Sequence, residues 1–370
     1  MKNPKQKSSQ QFFGAALRVV TLALFLAVFG AGAAHAQTRG YVTNLLGNSV
    51  SVIDPATNTV VATISVGGFP NGVAVTPNGA FVYVTNGLDH TVSVIRAATN
   101  TVVATVPVGL FPVAVAITPN GAFAYVTNQV SNTVSVINTA TNTVTATISG
   151  ANDPANIAIT PNGAFAYVAS STTNLNVIDT ATNTVTATFP IGGNTQAGIA
   201  ITPNGAFAYV ADPTLFAVHV VSTATNTVVA DVSVGAGPNG IDITPNGAFA
   251  YVANVFSANV SVIDTATNTE VTTVPVGSFP VGVAVDPNGT FVYVTNSGDN
   301  TVSKIITTTN TVVATIPVGD SPSLIAFARP APPSGPTNKD QCKHGGWATF
   351  TNPSFSNQGQ CVSYVNHLNH

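Results

Sequence analysis

The sequence predicts an all-β fold built from seven similar units, and two observations carry this prediction. A Tyr-Val-Thr or Tyr-Val-Ala tripeptide recurs at a constant spacing of 42 residues, and a fixed period of this length indicates a repeat architecture. The repeated tyrosines are Tyr41, Tyr83, Tyr125, Tyr167, Tyr209, Tyr251 and Tyr293. Between them, runs of β-branched and aromatic residues alternate with turn residues, which is the pattern of short strands.

The repeat at residues 71–109 illustrates the unit. Its predicted strands are Asn71 to Thr76, Phe81 to Thr85, Thr91 to Ile95 and Thr101 to Val108. Pro77-Asn78-Gly79 separates the first two, because proline presets a turn backbone and Asn-Gly tolerates positive φ. Four antiparallel strands repeated seven times predict a seven-bladed β-propeller, with strands a to d running from the axis outward.

The two ends of the repeat region indicate how the ring closes. The first repeat, from Tyr41, begins at strand b and lacks strand a, whereas residues 322–327 match the strand a sequence at 280–285 and have no repeat of their own. We therefore expect a one-plus-three closure, in which the last strand completes the first blade. Such closure protects strand edges that would otherwise invite aggregation.

Residues 1–36 have the features of a secretory signal peptide. A basic segment with Lys2, Lys5, Lys7 and Arg18 precedes an apolar run at 19–31, and Ala34-His35-Ala36 supplies small residues for cleavage after Ala36. An uncleaved anchor is the alternative, although the run is short for a span of about 20 residues. The prediction is a secreted, periplasmic or cell-surface protein without a membrane span after cleavage.

Charge excludes one class of partner. Removal of residues 1–36 leaves six basic and thirteen acidic residues, a net charge of −7, and no basic cluster. Nucleic acid is therefore not an expected partner, because phosphate binding relies on Lys and Arg. A monomer is expected.

The propeller is predicted to span residues 37–330, followed by a proline-rich linker at 331–336 and a small tail at 337–370. The tail holds both cysteines, Cys342 and Cys361. In a protein outside the cytoplasm, such an isolated pair predicts a disulfide. Two free thiols are the alternative. A zinc site with His344 is a weaker one, because the Cys-x-x-Cys spacing is missing.

The repeated tetrapeptide resembles a known family. Tyr-Val-Thr-Asn at 41–44 and 293–296, with Thr-Pro-Asn-Gly at 76–79 and Ser-Val-Ile-Asp at 51–54, resembles the YVTN-family β-propeller repeat. That family occurs in archaeal surface-layer proteins and many secreted bacterial proteins. The resemblance covers residues 38–330 and implies a propeller. It implies no catalytic residues, because the family shares no such set.

The two rims of the predicted propeller differ in sequence. The a–b and c–d turns form one rim and hardly change between repeats, so we call it the constant rim. The b–c and d–a loops form the other, the variable rim, and loops on a rigid scaffold commonly carry binding. The candidate residues for a ligand or partner on the variable rim are Phe69, Asp89, His90, Phe111, Asp153, Asp212, Phe279, Asp299 and Asp320. Ordinary loop drift is the alternative explanation for this variation.

Two residues depart from the repeat inside the blades. His219 stands where most c strands have Ser and is expected to be buried and hydrogen-bonded. Asp242 stands where inner strands have Ala and is the candidate channel residue, expected to be a structural acid bonded to water. No Ser-His-Asp set or phosphate loop is evident. No cofactor is predicted, and the metal content is left open.

Three functions are consistent with these features. The first is a secreted binding or surface-associated scaffold whose partner is a protein or a cell-surface glycan. The second is a lactonase-like or other metal-assisted hydrolase, which would hold a divalent cation over the channel. The third is a redox-partner module. Any partner is expected on the variable rim, because identical turns on the other rim give little basis for discrimination.

Overall fold

The computed structural model describes residues 38–193 and 197–328, together with Cys342, Lys343, Gln358, Gln360 and Cys361. The predicted signal peptide, the linker at 331–336 and the rest of the 337–370 tail lie outside the described residues. Cys342 and Cys361 are joined by a disulfide, with Cα atoms 5.6 Å apart.

Within the described residues, 28 strands form seven four-stranded antiparallel sheets, which confirms the predicted seven-bladed propeller. Blade 1 contains β1 (Arg39–Asn44), β2 (Ser49–Asp54) and β3 (Thr59–Ser65). Blade 2 contains β4 (Pro70–Val75), β5 (Phe81–Asn86), β6 (Thr91–Arg96) and β7 (Thr101–Pro107). Blade 3 contains β8 (Pro112–Ile117), β9 (Phe123–Asn128), β10 (Thr133–Asn138) and β11 (Thr143–Ser149).

The remaining blades follow the same order. Blade 4 contains β12 (Pro154–Ile159), β13 (Phe165–Ser170), β14 (Asn174–Asp179) and β15 (Thr184–Pro190). Blade 5 contains β16 (Ile199–Ile201), β17 (Phe207–Asp212), β18 (Ala217–Ser222) and β19 (Thr227–Ser233). Blade 6 contains β20 (Pro238–Ile243), β21 (Phe249–Asn254), β22 (Asn259–Asp264) and β23 (Thr269–Pro275). Blade 7 contains β24 (Pro280–Val285), β25 (Phe291–Asn296), β26 (Thr301–Ile306) and β27 (Thr311–Pro317).

The last strand, β28 (Pro322–Ala328), completes blade 1. It pairs antiparallel with β1, placing Ala326 opposite Tyr41 and Ile325 opposite Val42. The inner strand of each blade also contacts the inner strands of both neighbouring blades, including β28 with β4 and with β24. The predicted one-plus-three closure is therefore confirmed.

A layer of apolar side chains fills each of the seven seams between neighbouring blades. Alternation along strand b builds these layers. Tyr83 and Phe81 face blade 3, whereas Val82 and Val84 face blade 1. Both faces of every blade are thus buried, and each buried Val, Ile or Phe contributes roughly 1.5–3 kcal/mol.

Each residue of the Tyr-Val-Thr-Asn motif has a separate structural task. In blade 2, the Tyr83 hydroxyl donates to Asn142 Oδ1 of blade 3, at 2.7 Å. The Thr85 hydroxyl donates to the Val113 carbonyl of blade 3, at 3.0 Å, and accepts the Gly72 N–H within its own blade. Asn86 Nδ2 donates to the Ser93 hydroxyl at 2.9 Å, joining strands b and c. The motif therefore fixes both the seam and the internal register of the blade.

The seam between blades 7 and 1 carries an exception at Lys304, where the other c strands have Val. This buried side chain donates to the Pro55 carbonyl at 2.8 Å and to Asn58 Oδ1 at 3.0 Å, both in blade 1. Its ammonium lies 4.0 Å from the centre of the Phe291 ring, a favourable cation–π distance. Burial lowers the pKa of Lys304. A positive charge thus replaces an apolar contact where the ring closes.

Removal of the chain from Pro322 onward should destabilise the propeller, because the Ile325 side chain is buried at the closing seam and β1 loses its partner strand. We expect the melting temperature to fall by about 10 °C or more. A chain ending at Pro330 is the matched control and should melt like the full-length protein. Identical melting of both truncated chains would contradict the closure.

Candidate functional site

The loops of the variable rim are fastened to each other by a repeated pair of hydrogen bonds. The N–H of Phe69, in a d–a loop, donates to Asn48 Oδ1 of the preceding b–c loop, at 3.0 Å. The N–H of Gly68 donates to Asp89 Oδ2 of the following b–c loop, at 2.9 Å. This d–a loop is therefore held between two b–c loops, and Leu110 and Phe111 are held in the same way by Ser131 and His90.

Several of the predicted rim residues take part in these hydrogen bonds between loops. Asp299 Oδ2 accepts the Ser278 N–H at 2.6 Å, and His90 Nδ1 accepts the Phe111 N–H at 3.1 Å. Asp89 has the equivalent task described above. The N–H of Asp153 donates to Asn132 Oδ1 at 2.7 Å, while Asp320 is exposed. These residues lie in b–c and d–a loops, which form the variable rim.

The aromatic rim residues adopt an unusual backbone conformation. Phe69, Phe111 and Phe279 have φ values of +58°, +54° and +50°, at a repeat position that Gly237 occupies in blade 6. A bulky side chain in this left-handed region is uncommon and costs on the order of 1–3 kcal/mol. Backbone preference therefore does not account for phenylalanine here. Such outliers motivate a functional hypothesis for the position.

Large apolar side chains are exposed in several loops of the variable rim. Eight of them have between 48% and 72% of their surface exposed: Leu46, Leu88, Leu110, Val130, Leu215, Phe216, Phe256 and Phe279. Phe69 and Phe111 add a tilted aromatic pair with ring centroids 5.9 Å apart. We call these ten side chains the apolar crown. Acidic side chains stand beside it, and the described rim loops contain no Lys or Arg.

Asp212 is a candidate for a ligand or partner on the variable rim, yet its side chain is completely buried. Asp212 Oδ2 lies 3.0 Å from His219 Nε2, and Asp212 Oδ1 accepts hydrogen bonds from the Thr214 hydroxyl at 2.6 Å and the Leu215 N–H at 3.1 Å. Burial acts to raise the pKa of Asp212, but these hydrogen bonds outweigh it and lower the pKa overall.

His219 is buried and hydrogen-bonded, as predicted. Its Nδ1 lies 2.6 Å from Oδ1 of Asp231, a largely exposed carboxylate on β19. Both ring nitrogens face carboxylate oxygens, so both contacts are hydrogen bonds only when each nitrogen carries a proton. Asp212, His219 and Asp231 form a continuous polar network from the blade interior to its outer strand, which we call the Asp–His–Asp network.

This network replaces a neutral one found in the other blades. The positions equivalent to Asp212 and His219 hold Asn and Ser in five blades, for example Asn86 and Ser93. The position equivalent to Asp231 holds Thr in every other blade. Three departures from the repeat therefore meet in space. The sequence analysis singles out His219 but not Asp231. Alignment of the repeats at their 42-residue period shows that Asp231 replaces a threonine.

The channel residue Asp242 accepts hydrogen bonds from two backbone groups. Its Oδ1 accepts the Ile243 N–H and its Oδ2 accepts the Val285 N–H of the next blade, each at 2.8 Å. Asp242 lines a cavity of about 420 Å³ at the channel end nearer the constant rim, together with Asp286 and Phe327.

Two kinds of feature are not found among the described residues. No group of three or more His, Cys, Asp or Glu side chains is arranged there to hold a metal ion. None of the helices in this part of the chain is long and apolar enough to cross a bilayer.

Comparison with known proteins supports the class of fold. A family model described as a YNCE-like β-propeller matches residues 75–185. A stretch of 37 residues is 62% identical to the PE-PGRS family protein PE_PGRS18 of Mycobacterium tuberculosis (strain ATCC 25618 / H37Rv). That match spans 10% of this chain and only 8% of the length of that protein.

Solved structures resemble the propeller as a whole. Hydrazine synthase of Kuenenia stuttgartiensis is 24% identical with a TM-score of 0.67, covering 72% of this chain and 92% of its own. A functionally unknown protein from Desulfotomaculum acetoxidans DSM 771 is 21% identical with a TM-score of 0.69, covering 79% and 99%. Dihydro-heme d1 dehydrogenase NirN is 13% identical with a TM-score of 0.60, covering 78% and 74%. At these identities the likeness shows the β-propeller fold alone.

The Asp–His–Asp network yields a stability prediction. His219→Ser should destabilise the protein by about 1–3 kcal/mol, because the buried Asp212 carboxylate loses a hydrogen-bond partner. The triple variant Asp212→Asn, His219→Ser, Asp231→Thr restores the residues of the other blades and should unfold within about 1 kcal/mol of the wild type. Urea denaturation at pH 7 measures both.

The pH dependence provides a second readout of the same variants. Because the pKa of Asp212 is lowered in the folded state, its contribution is fully present above its unfolded pKa of about 3.9. That contribution is lost as the pH falls through the folded pKa. The wild type should therefore lose more stability than the triple variant in this acidic range. Equal losses, or equal stability of the single and triple variants, would contradict the network.

Proposed function

We propose that this protein is a binding scaffold, acting in the periplasm or at the cell surface, whose apolar crown docks a protein partner. The observation that carries the proposal is the contrast between the rims. Several loops of the variable rim expose large apolar side chains, whereas the constant rim repeats short polar turns. Contiguous exposed apolar surface edged by polar groups is typical of protein interaction sites.

The chemistry of the crown indicates what the partner presents. Phe256, with 72% of its surface exposed, and Phe279 are aromatic side chains of the kind that dominate binding energy once desolvated. Asp153 and Asp320 add negative charge in other d–a loops of the same rim, and the described rim loops contain no Lys or Arg. A partner segment that combines apolar side chains with Lys or Arg complements both features.

The rigidity of the rim supports the same function. Hydrogen bonds between successive loops hold the crown in place before a partner arrives, so little conformational entropy is lost on binding. Phenylalanine at left-handed positions, such as Phe111, is maintained against its backbone preference. This cost is offset if the side chain contributes to an interface.

The test is to select, from a displayed library of random peptides, those that bind the folded propeller. We expect the selected peptides to combine Phe, Leu or Trp with Lys or Arg. The double variant Phe256→Ala, Phe279→Ala should bind them at least about 30-fold more weakly, which corresponds to about 2 kcal/mol. Phe165→Ala is the matched control, because it removes an exposed phenylalanine, 38% exposed, from the constant rim.

Melting curves of each variant establish that the propeller is intact. Selected peptides that are acidic, or that bind the crown variant as tightly as the wild type, would refute docking on the crown. Loss of binding in the Phe165→Ala control alone would place the interaction on the opposite rim.

A further inference from the structure

Two equivalent cavities lie on the constant rim, one in each of two successive seams. The cavity between blades 3 and 4 has a volume of about 440 Å³ and is lined by Pro119, Asn120, Phe123, Asn162 and Thr180, among others. The cavity between blades 4 and 5 has a volume of about 180 Å³ and is lined by the corresponding residues Pro161, Asn162, Phe165, Asn204 and Thr223. Asn162 lines both, so the two cavities adjoin. We call them seam pockets.

The walls of the seam pockets are fixed by local hydrogen bonds. Asn120 Oδ1 accepts the Thr118 hydroxyl at 2.7 Å and the Ala122 N–H at 3.0 Å, and the same bonds recur around Asn162. Gly163 has a φ of +74°, and a Cβ there would lie 3.3 Å from Pro119 Cδ. Glycine therefore lets the turns of neighbouring blades approach closely, and the pocket is formed without a ligand.

The lining of the seam pockets is uncharged and combines two kinds of surface. The rings of Pro119 and Phe123 offer flat apolar faces. The Oδ1 atom of Asn120 is occupied by its own turn, and its Nδ2 group makes no hydrogen bond within the described residues, so it remains a donor for a ligand. Phe165 keeps 38% of its surface exposed beside the second pocket.

These properties favour a neutral, hydroxyl-rich ring. A charged group would enter a pocket that has no countercharge, and its desolvation would oppose binding. A sugar ring presents C–H groups on its faces and hydroxyl groups at its edge, which match the apolar rings and the asparagine amides respectively. Ligand sites commonly combine apolar walls with a few placed polar groups in this way.

Repetition of the pocket selects a ligand that also repeats. Two sites lined by the same residue types give no advantage in recognising a unique protein surface, but a polymer of identical units engages both at once. We propose that the constant rim binds a neutral polysaccharide, with sugar rings seated in successive seam pockets. This site is independent of the protein docking proposed for the apolar crown. Linked binding events raise the overall affinity of a polymer by about 10²–10⁴-fold over that of one unit.

The probes are chitohexaose and cellohexaose as neutral oligosaccharides, their single sugars as short controls, and hexagalacturonate as an anionic oligosaccharide of equal length. Isothermal titration calorimetry measures binding to the folded propeller. At least one neutral hexamer should bind about 10²-fold more tightly than its single sugar, and hexagalacturonate should bind more weakly than that hexamer. A proline-rich peptide of similar length is included as the competing ligand class.

Two variants localise the binding. Asn162→Asp keeps the Oδ1 acceptor for its turn but removes the amide donor from both pockets, and it adds a charge. Phe123→Ala with Phe165→Ala removes the aromatic face from each pocket. Both should weaken hexamer binding at least tenfold with the propeller still folded, whereas Phe256→Ala on the apolar crown should leave it unchanged.

The proposal is overturned if no neutral hexamer binds at millimolar concentration, or if hexagalacturonate or the proline-rich peptide binds more tightly than the neutral hexamers. It is also overturned if the seam-pocket variants bind like the wild type. Because the crown variant and the seam-pocket variants lie on opposite rims, failure of this proposal leaves the docking proposal untouched, and the reverse also holds.

Discussion

The hydrogen bond between a buried tyrosine of strand b and an asparagine in the c–d turn of the next blade is the constraint on which the ring depends. Five of these bonds are present, from Tyr83, Tyr125, Tyr167, Tyr209 and Tyr251, with lengths of 2.5–2.9 Å. Apolar packing alone would let blades slide, because dispersion contacts have little directionality. In five of the seven seams, one directed bond beside the apolar layer sets the position of a blade against its neighbour.

The same bond explains why the accepting residue is asparagine. The turn residues Asn142, Asn183 and Asn226 have φ values of +54° to +55°, a conformation that asparagine tolerates better than most residues. Each also supplies the Oδ1 acceptor for a tyrosine of the previous blade. Burial raises the pKa of Tyr83 to about 12, so the phenol stays protonated and remains a donor. Asparagine therefore both adopts the positive φ of the turn and accepts the hydrogen bond across the seam.

Sequence alone was sufficient for the architecture, because each strand is short, local and repeated. The strand at Phe81–Asn86, for example, is found within one residue of its predicted end. The strand Pro322–Ala328 was also predictable, since the first repeat alone lacks strand a and this segment supplies one. The 42-residue period predicts the strands, and the position in the repeat at which the chain starts and ends predicts the ring closure. Neither prediction requires knowledge of side-chain contacts.

The burial of Asp212 could not be predicted in the same way. It ends a strand next to a variable loop, where acids are usually exposed, yet the equivalent side chains of the other blades, such as Asn86, are buried as well. Its contact with His219 comes from the adjacent strand. Asp231 completes the network from a third strand, through a register that the sequence does not state. Lys304 is similar, because its acceptors in blade 1 are neighbours only after the ring has closed.

A scaffold held at its seams leaves both rims available for other purposes. Seam residues tolerate little change, as the seven buried tyrosines indicate. The loops beyond the strand ends carry no such constraint, and there the chain places phenylalanine in strained conformations and keeps leucine exposed. The variable rim, where the repeats differ, offers a surface that a unique partner can recognise. The constant rim, where the repeats agree, offers similar sites to a repeating ligand.

The most direct test of the seam constraint is a comparison of tyrosine-to-phenylalanine variants by urea denaturation. The Tyr125 hydroxyl donates to Asn183 Oδ1 at 2.6 Å, whereas the buried Tyr41 hydroxyl has no hydrogen-bond partner among the described residues. Tyr125→Phe should therefore lose about 1–2 kcal/mol of stability, because Asn183 is left without its donor. Tyr41→Phe should stay within about 0.5 kcal/mol of the wild type. Equal losses in the two variants would contradict the claim that these directed bonds hold the blades in position.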